Sequence, residues 1–202
     1  MVCEGIVGEI LRLWQDRPVG KLVEVGACDG VSYDSCIGML KSGWKGLLIE
    51  PSPLAYPLLV QNCSAYDAVL VNVACGPPTE FGVTFHYLPG KIGMGTIFAD
   101  ARRWWEEHDT PGWKSEEVSC VPLSYLMDSF GFGDADIVKI DVESAEGIVL
   151  EGLDLTRHRP YIITLEVSPR SIGRGFTYMK RLNEFGYYLT AATDTDDIYT
   201  RS

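Results

Sequence analysis

Residues 136–147 read DIVKIDVESAEG. Ile137, Val138, Ile140 and Val142 have the β-branched, apolar character of a buried strand, yet Lys139, Asp141 and Glu143 alternate with them. Alternation puts the three charges on one face of a central strand. An unpaired buried ion costs several kcal/mol, comparable with much of a domain's net stability. Such charges persist by pairing with one another, by binding a ligand or by lining a wet cleft. Lys139 and Asp141 are placed to pair. Glu143 falls at the carboxyl end of the strand, where open α/β sheets bind their ligands. The run is therefore read as one wall of a functional cleft.

Two further motifs suit the same cleft. VEVGACDG (23–30) is a strand, a tight turn and the start of a helix. Gly26 permits a positive φ, and Gly30 permits close approach of a ligand and the helix. A dinucleotide fingerprint needs glycine at 28 and 31, where Cys28 and Val31 stand, so a nicotinamide or flavin reading loses its main support. A shorter glycine turn after the acid Glu24 suits a nucleoside without a pyrophosphate. Glu24 would accept from an ammonium or a turn amide. Glu50 ends the run GLLIE and is followed by Pro51 and Pro53; an acid there can accept from both ribose hydroxyls. Asn72, in NVAC, would meet an adenine edge or serve as a turn residue.

The elements that must hold these groups alternate between short apolar runs and helical patterns, the mark of a parallel α/β sheet. Helices are expected over 4–15, from the first glycine turn to about Leu40, and over 54–62, 124–130, 145–153 and 177–185. Strands are expected at 21–26, 46–50, 68–75, 118–123, 136–143 and 161–168, with 83–88 as an edge strand. YYLTAAT and DIYTR form a closing antiparallel hairpin. Segment 76–117 looks irregular and is read as a lid that contacts substrate. Parallel strands ending in such a hairpin describe the methyltransferase variant of the doubly wound sheet, here one domain spanning 1–202.

The chain has 202 residues, 46% of them hydrophobic and 22% charged, with a net charge of −11 and no basic run. That field disfavours nucleic acid and fits a neutral or cationic ligand. MVCEGIVGEILRLW lacks the basic opening of a secretory signal, and no apolar run approaches the ~20 residues that span a bilayer. Six cysteines without a CxxC pair are expected to be reduced thiols of a cytoplasmic protein.

DIVKIDVESAEGIVLEGL resembles the signature segment of FkbM-type methyltransferases, usually IKIDVEGAE before a leucine-rich helix. VEVGACDG, LLIEPSP, NVACG, VPLSYLMD and YIITLEV follow in that family's order, so the resemblance covers roughly residues 20–190. It implies a class I, Rossmann-like, seven-stranded and mostly parallel sheet. It also implies S-adenosylmethionine-dependent methyl transfer, typically to a hydroxyl of a sugar or natural product. Carried over, Gly26, Ala27 and Gly30 would cradle the methionine part and Glu50 would hold the ribose. Asn72, Val73 and Ala74 would lie near the adenine, with Glu24, Asp29, Pro51 and Asp141 completing the cofactor set. Ser144 stands where the family usually has glycine.

In such a transfer the protein aligns the acceptor and takes up its proton. Asp141 is the expected proton acceptor and Lys139 its orienting partner, while Glu143 would touch the acceptor or the cofactor's ammonium. Glu146 is either a ligand group or a carboxylate capping the next helix. Glu166, at the end of ITLEV, is a second candidate on the same rim. Asp141, Glu143 and Glu166 would supply oxygen ligands if a divalent metal took part, which the signature does not require. His86 and His108 lie in the lid, His158 caps a helix, and RRWWEE (102–107) either stacks on a ring substrate or docks the lid. Arg170 and Arg174 are either contacts for an acidic acceptor or solvated loop residues. The expected partner is a small-molecule or saccharide acceptor, with no nucleic acid and no membrane. A cofactor-binding but inactive module and a nicotinamide oxidoreductase are the alternatives.

Overall fold

The chain was analysed as a computed structural model that describes residues 5–33, 35–79, 82–108, 111–167 and 172–202. In chain order it runs α1 (Ile6–Trp14), β1 (Lys21–Val25), α2 (Ile37–Lys41), β2 (Lys45–Ile49), α3 (Tyr56–Cys63) and β3 (Ala68–Val71). The short β4 (Ala74–Cys75) leads to β5 (Val83–Leu88), β6 (Lys91–Thr96), α4 (Ala99–His108), β7 (Lys114–Val118) and β8 (Cys120–Val121). Then come α5 (Leu123–Phe130), β9 (Ile137–Ile140), α6 (Glu146–Glu151), β10 (Ile162–Glu166), α7 (Ile172–Glu184), β11 (Tyr187–Ala192) and β12 (Asp196–Arg201).

Seven strands form the main sheet in the order β3-β2-β1-β9-β10-β12-β11. The first five in that order are parallel, while β12 runs antiparallel to both β10 and β11. Strand order reverses between β1 and β9. That reversal leaves a crevice outside their carboxyl ends, where open α/β sheets take ligands.

Parity along the strands divides the core. Val23, Val25, Leu47, Ile49, Val138, Ile140, Ile163 and Leu165 pack toward α5, α6 and α7. Leu22, Leu48, Ile137 and Ile162 pack toward α1, α2 and α3. In α1 the buried stripe is Ile6, Ile10 and Trp14, four residues apart. On this second face the apolar run stops short of the carboxyl ends. Leu22 is succeeded by Glu24, Leu48 by Glu50, Ile137 by Lys139 and Asp141, and Ile162 by Thr164 and Glu166. One face of the sheet thus turns from oil to charge at one end.

The expected helices and strands appear with several differences. The strand expected over 136–143 stops at Ile140, so Glu143 lies in the turn beyond it, and the helix expected over 177–185 begins at Ile172. The helix after the first glycine turn is only α2, because residues 26–33 form a turn-rich loop with positive φ at Gly26, Cys28, Gly30 and Tyr33. The run 68–75 breaks at Asn72, and β4 pairs with β8 in a separate two-stranded sheet. Among its described residues segment 76–117 is largely regular: β5 is the middle of a three-stranded antiparallel sheet between β6 and β7, with α4 between β6 and β7 in the chain. Among the described residues no helix is long and apolar enough to cross a membrane. Cys28, Cys36, Cys63, Cys75 and Cys120 are free thiols.

Candidate active site

A cavity of about 270 Å³ opens at the strand-order reversal. Its floor is built from the carboxyl ends of β1, β2, β9 and β10, and β5 and β6 supply a facing wall.

Glu24 and Lys139 are register partners on β1 and β9. Lys139 Nζ lies 3.4 Å from Glu24 Oε1 and donates to Asp141 Oδ2 at 3.0 Å. Lys139 and Glu24 are almost wholly buried, whereas the Asp141 side chain is 32% exposed. Burial works against the lysine charge, but Asp141 and Glu24 outweigh it and raise its pKa. Two carboxylates share one ammonium, and the more buried, Glu24, has its pKa raised by desolvation. Asp141 keeps one oxygen on the lysine and meets the cavity at the wet end of the pair.

Acids also shape the loop after β1. Glu24 Oε2 accepts from the Cys36 amide at 3.3 Å. Glu50 accepts from the Cys28 amide at 2.8 Å through one oxygen and from the Ser52 amide at 2.7 Å through the other. Each oxygen retains a lone pair. Burial pushes the Glu50 carboxyl up to about 7. Burial also pushes the Cys28 thiol up to about 12, so it stays protonated and is no nucleophile. At Gly26, with φ +85°, a Cβ would overlap the Asp141 carbonyl oxygen, so the two strand ends approach as closely as a bare backbone allows.

Past β9 the chain makes a strained turn. Glu143 and Ser144 have φ of 52° and 76°, consecutive non-glycine residues in the left-handed region. Each costs on the order of 1–2 kcal/mol. Glu146 holds the turn, its Oε1 accepting from the Ser144 amide at 3.1 Å and the Val142 amide at 3.3 Å. Burial pushes the Glu146 carboxyl up to about 7. Glu146, read from sequence as a ligand group or a helix-capping carboxylate, instead fixes the turn before α6.

The cavity brings together Glu24, Gly26, Ala27, Glu50, Pro51, Ala74, Lys139, Asp141, Glu143 and Glu166. Four expected cofactor residues stand outside its lining, each for a visible reason. Asp29 accepts from the Val31 and Ser32 amides and the Ser32 hydroxyl, bracing the loop. Gly30 faces α3, where a Cβ would lie 2.5 Å from Cys63 Sγ. Asn72 donates to the Glu50 carbonyl at 2.8 Å, and Val73 packs on the core. His86 bonds Ser115 on β7 at 2.8 Å, and burial lowers its pKa. His158 is buried near the Gly133 carbonyl and Asp128. Trp104 and Trp105 meet edge to face on α4, their ring centroids 5.7 Å apart. Arg170 and the side chains of His108 and Arg174 lie outside the described residues. Among the described residues no group of three or more His, Cys, Asp or Glu side chains is gathered to hold a metal ion.

Sequence reading placed substrate contacts in 76–117 without naming the residues of this facing wall, and it missed Tyr33, Thr195 and Asp196. Tyr33, Phe85 and residues 92–97 line the wall, and Thr195 and Asp196 close the rim beside Glu166. A signal was present in KIGMGT, whose glycines resemble a loop. Gly93 and Gly95 lie in β6 and leave room for rings: a Cβ on Gly93 would lie 2.6 Å from Tyr33, and one on Gly95 would overlap Phe85.

The lining carries six acids and, among the described residues, Lys139 as its cation. That donor set does not fit a pyrophosphate. It fits a ligand with hydroxyls, an ammonium and a sulfonium.

The family model for the methyltransferase FkbM domain matches residues 24–192. The fold is similar to that of precorrin-6y C5,15-methyltransferase from Geobacter metallireducens GS-15. The TM-score is 0.52 at 10% identity, and the match covers 100% of this chain and 91% of that one. Magnesium protoporphyrin IX methyltransferase from Synechocystis PCC 6803, solved with bound SAM, matches with a TM-score of 0.44 at 12% identity, over 97% of this chain and 76% of that one. No curated protein matches the chain.

Proposed function

Because the chain belongs to the FkbM methyltransferase family and is an S-adenosylmethionine-dependent methyltransferase, we propose that it methylates a hydroxyl oxygen of a sugar or natural-product small molecule. One observation carries this reading: Asp141, tethered to a buried lysine, stands half-open in an acid-lined cavity at the sheet's reversal point.

S-adenosylmethionine, when bound, supplies the electrophilic methyl carbon. Gly26, Ala27 and Glu24 would hold its amino-acid part, Glu50 its ribose hydroxyls, and Pro51 and Ala74 its base. Asp29, Gly30, Asn72 and Val73 act one layer back by fixing the loop and the Glu50 backbone. Asp141 receives the acceptor's hydroxyl proton on Oδ1, since Oδ2 is engaged by Lys139. Lys139, donating to Oδ2, holds that carboxyl in place. Glu143, presented by its strained turn, orients the acceptor or the cofactor's ammonium. The β5–β6 wall excludes water from the other side.

The net charge of −11 supports a neutral or cationic acceptor rather than a nucleic acid, and the free thiols support a cytoplasmic setting. Calorimetric titration is expected to show S-adenosylmethionine binding and no NADH binding. Radiolabelled methyl transfer to a panel of saccharides and polyketides tests the acceptor class. Binding without transfer to any member would favour an inactive module and overturn the proposal.

A further inference from the structure

Glu166 ends β10, lines the cavity, and has a buried carboxyl oxygen, Oε2, with no hydrogen-bond partner. Leu165 is the register partner of Ile140. Glu166 therefore follows beside Asp141, on backbones about 4.8 Å apart. On its other side Asp196 is its register partner on β12.

Carboxylates approach it from every neighbouring element: Glu143 and Asp141 beyond β9, Glu146 on α6 and Asp196 on β12. Burial first, and then these like charges, push the Glu166 carboxyl up to about 9. At neutral pH it holds its proton, so it cannot serve as a second proton acceptor. It offers an O–H instead, and a buried donor needs an acceptor. A hydrogen bond to the reacting oxygen would blunt its nucleophilicity, whereas one to an adjacent oxygen orients the molecule.

We infer that Glu166 is a specificity-determining residue that donates a hydrogen bond to the oxygen next to the one losing its proton to Asp141, so that vicinal diols are selected over isolated alcohols. The inference rests on the hydroxyl methylation proposed above.

Two measurements test it. In infrared difference spectra of wild type against Glu166→Gln, both loaded with S-adenosylhomocysteine, a protonated carboxyl band is expected at neutral pH. Methyl transfer is then compared between methyl glycosides and their counterparts lacking the neighbouring hydroxyl. Wild type should prefer the diol roughly 10- to 100-fold in kcat/KM. Glu166→Ala should erase the preference. Glu166→Gln, which keeps a donor, should retain it, and should also retain it above about pH 9, where wild type loses it. An ionised Glu166 at neutral pH, or a preference that survives Glu166→Ala, overturns the inference alone. A protonated band with no transfer to any hydroxyl overturns the methylation reading and the diol requirement with it.

Discussion

Glu24 and Lys139 face each other across the two innermost strands, their charged atoms 3.4 Å apart and their side chains no more than 3% exposed. A pair so placed adds little net stability, but breaking it leaves a bare ion in the interior. Lys139→Met should destabilise the protein by about 3–5 kcal/mol. Adding Glu24→Gln should restore much of that loss. Denaturant unfolding of both variants decides it, and a stable single variant would show that the charges are not coupled.

Asp141→Asn keeps the shape of the side chain and removes the proton acceptor. Transfer should slow on the order of 100-fold or more in kcat, with a much smaller change in S-adenosylhomocysteine affinity by calorimetry. Full turnover at neutral pH would remove Asp141 from its role.

Glu50 and Glu146 are acids whose pKa values rise from 4.5 to about 7 on burial. The folded form therefore holds these protons more tightly than the unfolded chain. Their contribution to stability is complete below pH 4.5 and is lost as pH rises through about 7. Urea unfolding of the ligand-free protein should show this decline between about pH 5 and 8, and Glu50→Gln with Glu146→Gln should make it shallower, leaving the part due to Glu166, which runs on to about pH 9.

The same titration governs the cofactor. In its proposed role ionised Glu50 accepts from the ribose hydroxyls, so S-adenosylhomocysteine affinity should fall as pH drops below about 7. The limit is about tenfold per pH unit. Glu50→Gln should bind weakly with little pH dependence; a steep dependence in that variant would assign the effect elsewhere.

Ser144 has φ of 76° in a turn already fixed by Glu146. Ser144→Gly relieves left-handed strain at some entropic cost, for a net gain on the order of 1 kcal/mol. Chemical denaturation measures it, and a loss of stability would mean that the serine hydroxyl matters more than the backbone.

Much of the central sheet was legible because β1, β2, β9 and β10 are buried on both faces and read as largely apolar runs. Lys139, Asp141 and Glu143 stood out by interrupting such a run. Other parts depend on distant partners that no local pattern announces. Gly30 looked like a ligand seat, but its neighbours are Leu59 and Cys63, far along the chain. Asn72 read either as a base contact or as a turn residue, and its amide reaches back to the Glu50 carbonyl. Asp196 opens β12 just past a polar hairpin turn and joins the cavity because antiparallel pairing brings it beside Glu166.

The bare backbone of β6, with Tyr33 and Phe85 against it, makes the side of the cavity opposite Asp141 a small sheet of its own. Most of the residues proposed to grip the methyl donor lie at the strand ends of the large sheet or in the loops just after them. An evolving lineage can lengthen the hairpin or exchange its aromatic rings without disturbing that grip. New acceptor preferences would then arise by drift in one peripheral hairpin.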